Sequence, residues 1–128
     1  MSGNQCRKQR VLVVDDEPLV CETVRMILHF SGHSVDSANS AVQALSLFQP
    51  GKFDLVITDY FMPAMTGEKL AEAIKERAPS QPVIMLTAFP EKLNRQGHPP
   101  IGVDVLLGKP FEMGSLLQAV DSVSSDAF

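Results

Sequence analysis

The chain has 128 residues, of which 45% are hydrophobic and 20% charged, and its net charge is −4. That is one domain of ordinary size, long enough to bury a sizeable core without disulfide or metal staples. The acidic balance argues against nucleic acid as a direct partner, and no apolar run approaches the ~18 residues of a membrane span.

Residues 1–9 read as a polar N-terminal tail. Its basic residues, with Arg7, Lys8 and Arg10 close together, have no apolar segment behind them, so no signal peptide is indicated. Cys6 and Cys21 lack C-x-x-C or Cys/His spacing, which favours free thiols in a reducing cytoplasm, with a Cys6–Cys21 bridge as the alternative.

Arg10–Val14 is the first predicted strand. Pro18 then suits the first turn of a helix, where its missing N–H costs nothing. Val20, Val24, Ile27 and Leu28 give that helix one apolar stripe, and Gly32 sits where a left-handed cap belongs. Ser34–Ala38 is a weak strand, with only Val35 and Ala38 apolar, and belongs at a sheet edge. Asn39 or Ser40 caps a short helix through Phe48, which Pro50-Gly51 ends. Phe53–Thr58 is apolar enough for a buried parallel strand. A loop over Met62–Gly67 leads to a helix over Glu68–Ala78, with Leu70 and Ile74 inward. Val83–Thr87 is the fourth strand. After it, Pro90, Gly97, Pro99 and Pro100 leave only Glu91–Gln96 free for a helix. A fifth strand over Val103–Leu107 and a helix over Glu112–Val123 complete a domain spanning 10–123. Leu116, Leu117, Val120 and Val123 form the last helix's inner stripe, and 124–128 is a frayed tail.

This alternation predicts an α/β fold, a doubly wound three-layer sandwich with a five-stranded parallel sheet. Ligands in such sheets bind beyond the carboxyl ends of the strands. Four strand ends carry chemistry there: Asp15-Asp16, Asp59, Thr87 and Lys109-Pro110. Three carboxylates gathered in one crevice need a divalent cation. A lysine and a threonine opposite them suit the oxygens of a phosphoryl group. Each signal is weak alone: Asp-Asp also caps helices, a strand often ends in threonine, and lysine is common in turns.

Together, VVDDE (13–17), ITDYFMPAMTG (57–67), MLTA (85–88) and GKPF (108–111) resemble the receiver domain of two-component response regulators, the CheY-like, flavodoxin-like proteins. The likeness runs from about Arg10 to about Val123. It implies strand order 2-1-3-4-5, which brings Asp15, Asp16 and Asp59 together. It implies that Asp59 accepts a phosphoryl group from a phosphohistidine, with Mg²⁺ or Mn²⁺ as cofactor. The metal ligands would be Asp16, Asp15 directly or through water, Asp59 and the backbone carbonyl of Phe61. Lys109, following a strand and preceding a cis peptide bond to Pro110, would pair with Asp59 and then with the phosphoryl oxygen. Thr87 would donate its hydroxyl to that oxygen, with backbone N–H groups near Tyr60 and Ala88 completing the contacts. The partners implied are a histidine kinase or histidine phosphotransfer protein and a downstream protein target, with no membrane and no direct nucleic acid. A domain of this kind is a signalling switch rather than an enzyme, supporting only its own phosphorylation and dephosphorylation.

One departure concerns the output. The family pattern has an aromatic residue three positions before the lysine, and here that position is Leu106. Thr87 and Leu106 are the switch candidates, and the segment Phe89–Ile101 is expected to tighten on phosphorylation or partner binding. Phe61 is expected to shield the aspartyl phosphate from water. The three histidines read as surface or half-buried, and the methionines as core filler and loop residues. Two alternatives stand beside this reading. One is a phosphorylation-independent interaction module of the same fold. The other is a small haloacid-dehalogenase-like phosphohydrolase, which the Asp15-Asp16 spacing and the lack of an acidic pair after Lys109 disfavour.

Overall fold

The computed structural model describes residues 8–94, 97 and 99–124. Within them strands and helices alternate: β1 (Arg10–Val14), α1 (Pro18–Phe30), β2 (Ser34–Ala38), α2 (Ala41–Leu47), β3 (Leu55–Asp59), α3 (Gly67–Arg77), β4 (Val83–Thr87), α4 (Pro90–Leu93), β5 (Val105–Gly108) and α5 (Met113–Ser124). The strands form one parallel sheet in the order β2-β1-β3-β4-β5. This is the doubly wound sandwich and strand order expected, with the polar β2 at an edge.

The period-2 alternation of strand side chains builds a core on each side of the sheet. Val11, Val13, Leu55, Ile57, Ile84 and Leu86 pack with Val24 and Leu28 of α1 and with Leu116 and Val120 of α5. Leu12, Val14, Val56 and Met85 pack on the other face with Ala41 and Ala44 of α2 and with Leu70 and Ile74 of α3. Because β1, β3 and β4 are covered on both faces, they read as unbroken apolar runs. Local chemistry fixes the ends. Pro18 opens α1, and Gly32, at φ +97°, closes it. The Ser40 hydroxyl, rather than Asn39, caps α2 by accepting the Gln43 N–H at 3.1 Å. Thr66 caps α3 through the Lys69 N–H.

The structure corrects several boundaries. β3 begins at Leu55, not Phe53. Phe53 leaves the strand to stack on Phe48, and the Asp54 carboxylate accepts the Arg10 N–H at 2.8 Å. β5 runs over Val105–Gly108, not Val103–Leu107. Val103 closes a turn onto the Pro100 carbonyl, and the Asp104 carboxylate accepts the Val83 N–H and pairs with Lys75. α4 spans Pro90–Leu93 rather than Glu91–Gln96, because Pro90 opens the helix as an N-terminal residue instead of blocking it. The limits of α3 and α5 shift by one residue, within ordinary helix-end variation.

Gln9, read as tail, is buried: its carbonyl accepts the Ser34 N–H and its own N–H donates to His33 Nδ1, both at 3.0 Å. His33 is likewise buried, not superficial, while His29 is exposed. Met62 and Met85 fill the core, but Met26 and Met113 stand exposed on helices. Cys21 is a half-buried free thiol in α1. Cys6, Gln96, His98 and the tails at 1–7 and 125–128 lie outside the described residues. Among the described residues no helix is long and apolar enough to cross a membrane.

Candidate functional site

Parallel strands share one carboxyl edge, so pairing β1 with β3 carries Asp15, Asp16 and Asp59 to the same place. One carboxylate oxygen from each falls within 4.8 Å of the others. Their environments differ. Asp15 is fully buried, Asp59 is 6% exposed, and Asp16 faces solvent. β4 delivers Thr87 and β5 delivers Lys109 to a crevice of about 380 Å³, lined also by Asp16, Glu17, Asp59, Tyr60, Phe61, Ala88 and Phe89.

Lys109 holds the cluster together. Its ammonium lies 2.7 Å from Asp59 Oδ1 and 3.1 Å from Asp15 Oδ2. The peptide bond between Lys109 and Pro110 is cis. The pairing with Asp59 was expected, whereas the pairing with Asp15 was not visible from sequence. Asp15 Oδ1 also accepts the Glu17 N–H at 2.9 Å, so both its oxygens are engaged.

Burial raises the pKa of both Asp15 and Asp59, because a dry carboxylate disfavours its charge. At Asp59 the Lys109 ammonium pulls the other way, while Asp16 and Glu17 push it up further. At Asp15 the Glu17 N–H and Lys109 oppose burial, and the charge of Asp59 adds to it. Burial alone would lower the Lys109 pKa, but the bond to Asp59 and the charge of Asp15 outweigh it and hold the ammonium protonated. A site with three acids and one cation carries excess negative charge. Its hard oxygen donors suit Mg²⁺ or Mn²⁺, so the residues present fit such an ion.

Thr87 is 3% exposed, and its hydroxyl accepts the Phe89 N–H at 3.0 Å. The Tyr60 N–H is not free for a ligand, since it donates to the Leu86 carbonyl at 2.8 Å. Phe61 is 79% exposed at the mouth of the crevice. Leu106 is half-buried against the core shared with α2 and α3, not in the crevice lining.

Three supporting residues escaped the sequence reading. A Cβ on Gly67 would lie 2.2 Å from the Asp59 carbonyl oxygen, so only glycine lets α3 start against this backbone. A glycine at a helix start, where most residues do better, was the available signal. Thr58 donates its hydroxyl to that same Asp59 carbonyl at 3.0 Å. Phe89, 59% exposed, joins Phe61 at the crevice mouth.

Residues 11–121 match the family model described as "Response regulator receiver domain". The chain belongs to this family. Among curated proteins, this receiver domain is 35% identical over 108 residues to the response regulator MprA of Mycobacterium sp. (strain KMS), covering 84% of this chain and 47% of that protein. The chain thus spans about half the length of the curated relatives it matches. Among solved structures, it superposes on a response regulator receiver domain protein from Clostridium thermocellum with a TM-score of 0.83 at 27% identity, covering 92% of this chain and 95% of that one. It superposes on the response regulator TrrA of Thermotoga maritima, solved in complex with Mg²⁺-BeF, with a TM-score of 0.81 at 32% identity, covering 91% and 99%.

Proposed function

We propose that this receiver domain takes a phosphoryl group from a phosphohistidine of a histidine kinase or phosphotransfer protein onto Asp59, and that the change regulates a protein partner. The observation that carries the reading is the Lys109–Asp59 pair at 2.7 Å beside two further carboxylates and Thr87. That the Thermotoga relative was solved in complex with Mg²⁺-BeF adds support for a divalent cation as the cofactor.

Lys109 holds Asp59 Oδ1, leaving the second carboxylate oxygen to attack phosphorus in line with the departing imidazole nitrogen. The new P–O bond forms as the P–N bond breaks, and the histidine leaves with the electron pair of that bond. Lys109 then follows the phosphoryl oxygen as a point charge. Thr87 turns its hydroxyl toward another oxygen, and the Ala88 N–H completes the contacts. Asp15, Asp16, Asp59 and the Phe61 carbonyl would hold Mg²⁺, which supplies charge neutralisation for the transferring group. When Thr87 turns, the Phe89 N–H loses its acceptor, which ties the site to the segment Phe89–Ile101. Leu106 supplies an aliphatic rather than an aromatic reporter on β5. Phe61 covers the aspartyl phosphate against water.

The test is intact mass after incubation with Mg²⁺ and acetyl phosphate. Expected is a one-phosphoryl gain that disappears in Asp59→Asn and without Mg²⁺. No gain, with a histidine-kinase donor also failing, would favour the phosphorylation-independent interaction module instead. The same assay followed in time reads Phe61: Phe61→Asn is expected to shorten the phosphoryl lifetime, and an unchanged lifetime would remove the shielding role.

A further inference from the structure

Thr58 is a polar side chain in a place built for an apolar one. It is fully buried in β3. Side chains two apart on a strand share a face, so Thr58 points with Val56 into the core under α2 and α3. Its cross-strand neighbours, Val14 on β1 and Met85 on β4, are both apolar. A hydroxyl is tolerated there only with a hydrogen bond, and the bond it makes is to the Asp59 carbonyl oxygen at 3.0 Å. Val14, the last residue of β1, stands opposite Thr58, so the ladder on that side ends one residue short of Asp59. The other group of the same peptide unit, the Tyr60 N–H, donates to the Leu86 carbonyl of β4 at 2.8 Å. The Asp59–Tyr60 peptide is thus gripped at both ends, by the Thr58 hydroxyl and by β4. Gly67 closes on the same carbonyl oxygen, leaving no room for a Cβ.

Resting on the reading of Asp59 as the phosphoryl acceptor, we propose that Thr58 is a positioning residue for the transfer. Its hydroxyl fixes the plane of the Asp59–Tyr60 peptide, and that peptide shares the Asp59 Cα with the carboxylate that must meet phosphorus in line. Lys109 holds Asp59 by its side chain, through Oδ1 at 2.7 Å. Thr58 holds the same residue by its backbone. An attacking atom about 1 Å out of place can cost on the order of a hundredfold in rate, so a partial loss of aim shows in the rate before it shows in the fold. A threonine that served packing alone would behave differently. Valine has nearly the same shape and no hydroxyl to satisfy, and in that case it would leave the transfer untouched.

The experiment follows phosphoryl gain in time by intact mass on the full chain with Mg²⁺, using wild type, Thr58→Val and Thr58→Ser. Two donors are used, acetyl phosphate and phosphoramidate. Thr58→Val is expected to slow the gain roughly tenfold, and by the same factor with both donors, because the fault lies in the acceptor. Thr58→Ser keeps the hydroxyl and is expected to stay within about threefold of wild type. Urea denaturation checks that the valine variant is fully folded under the assay conditions, and Thr58→Ala takes its place if it does not fold. Hydrogen exchange gives a readout independent of phosphorylation. The Tyr60 amide is expected to exchange roughly tenfold faster in Thr58→Val, while the Val56 amide, bonded to the Pro82 carbonyl, serves as an unchanged reference. A valine rate within about twofold of wild type overturns the positioning role. A serine rate as low as the valine rate overturns it too, since the methyl group would then decide. Unchanged exchange at Tyr60 overturns the grip on the peptide. If wild type gains no phosphoryl group from either donor, the acceptor reading itself fails, and the Tyr60 exchange still decides whether Thr58 holds this peptide.

Discussion

Gly67→Ala puts the tightest contact around Asp59 under strain. The added methyl would lie 2.2 Å from the Asp59 carbonyl oxygen, 3.0 Å from its carbonyl carbon and 3.1 Å from Tyr60 Cα. All three are backbone atoms, so no side chain can swing aside. Relief requires α3 to retreat by about 1 Å, given an ordinary carbon–oxygen contact of ~3.3 Å. That retreat stretches the Gly67 N–H bond to the Tyr60 carbonyl, now 2.7 Å. Overpacking costs about 1–3 kcal/mol, and the weakened hydrogen bond up to about 1 kcal/mol. Alanine's better helix propensity returns less than about 1 kcal/mol at a helix start. The net expectation is a loss of about 2–3 kcal/mol, or a fall in Tm of roughly 5–15 °C. The assay is urea and thermal denaturation followed by far-UV circular dichroism, since the chain has no tryptophan. A loss below about 0.5 kcal/mol, the scale of ordinary surface changes, would refute the close approach. The strain falls on the backbone that aims Asp59, so the phosphoryl gain with acetyl phosphate is expected to slow as well.

Two further substitutions test local features. Ala64 has φ +74° in the loop before α3, and the Met65 N–H bonds back to the Pro63 carbonyl, a tight turn that strains a residue with a Cβ. Ala64→Gly is expected to raise the urea midpoint by the equivalent of about 0.5–1 kcal/mol; a lowered midpoint would mean that chain entropy outweighs the strain. His33 is held neutral by burial, against the pull of Asp121, and its Nδ1 accepts the Gln9 N–H. Its pKa in the folded protein lies below the ordinary 6.5, so the unfolded chain binds the proton first. Its contribution is present in full above pH ~6.5 and is lost as pH falls below that value, at about 1.4 kcal/mol per unit of pKa difference. His33→Asn keeps an acceptor without the titration, so its stability is expected to fall less than wild type between pH 7.5 and 5.5. Parallel pH profiles would show that His33 is not the proton-linked group.

What the sequence determined by itself is the alternation and the chemistry at the strand ends. β1 and β4 stand at their predicted limits because an apolar run bounded by polar residues is a local signal, set by burial on both faces; the polar edge strand β2 also stands at its predicted limits, with only Val35 and Ala38 to mark it. The family motifs carried the strand order, and the order brought Asp15, Asp16 and Asp59 together. Only the tertiary structure decided what each residue meets. Asp15 and Asp16 are neighbours of one residue type, yet one is sealed under Lys109 and the other stands in water, because adjacent side chains leave a strand end in different directions. The limits of β3 and β5 depend on Arg10, Lys75 and Val83, which are distant in sequence and engage Asp54 and Asp104 across the fold. Pro90 opens α4 rather than blocking it, with its ring against Gly108, a contact no local pattern encodes. Gly67 looks like any loop glycine until α3 is laid against the Asp59 carbonyl, since a close approach is a property of two segments and neither one specifies it alone.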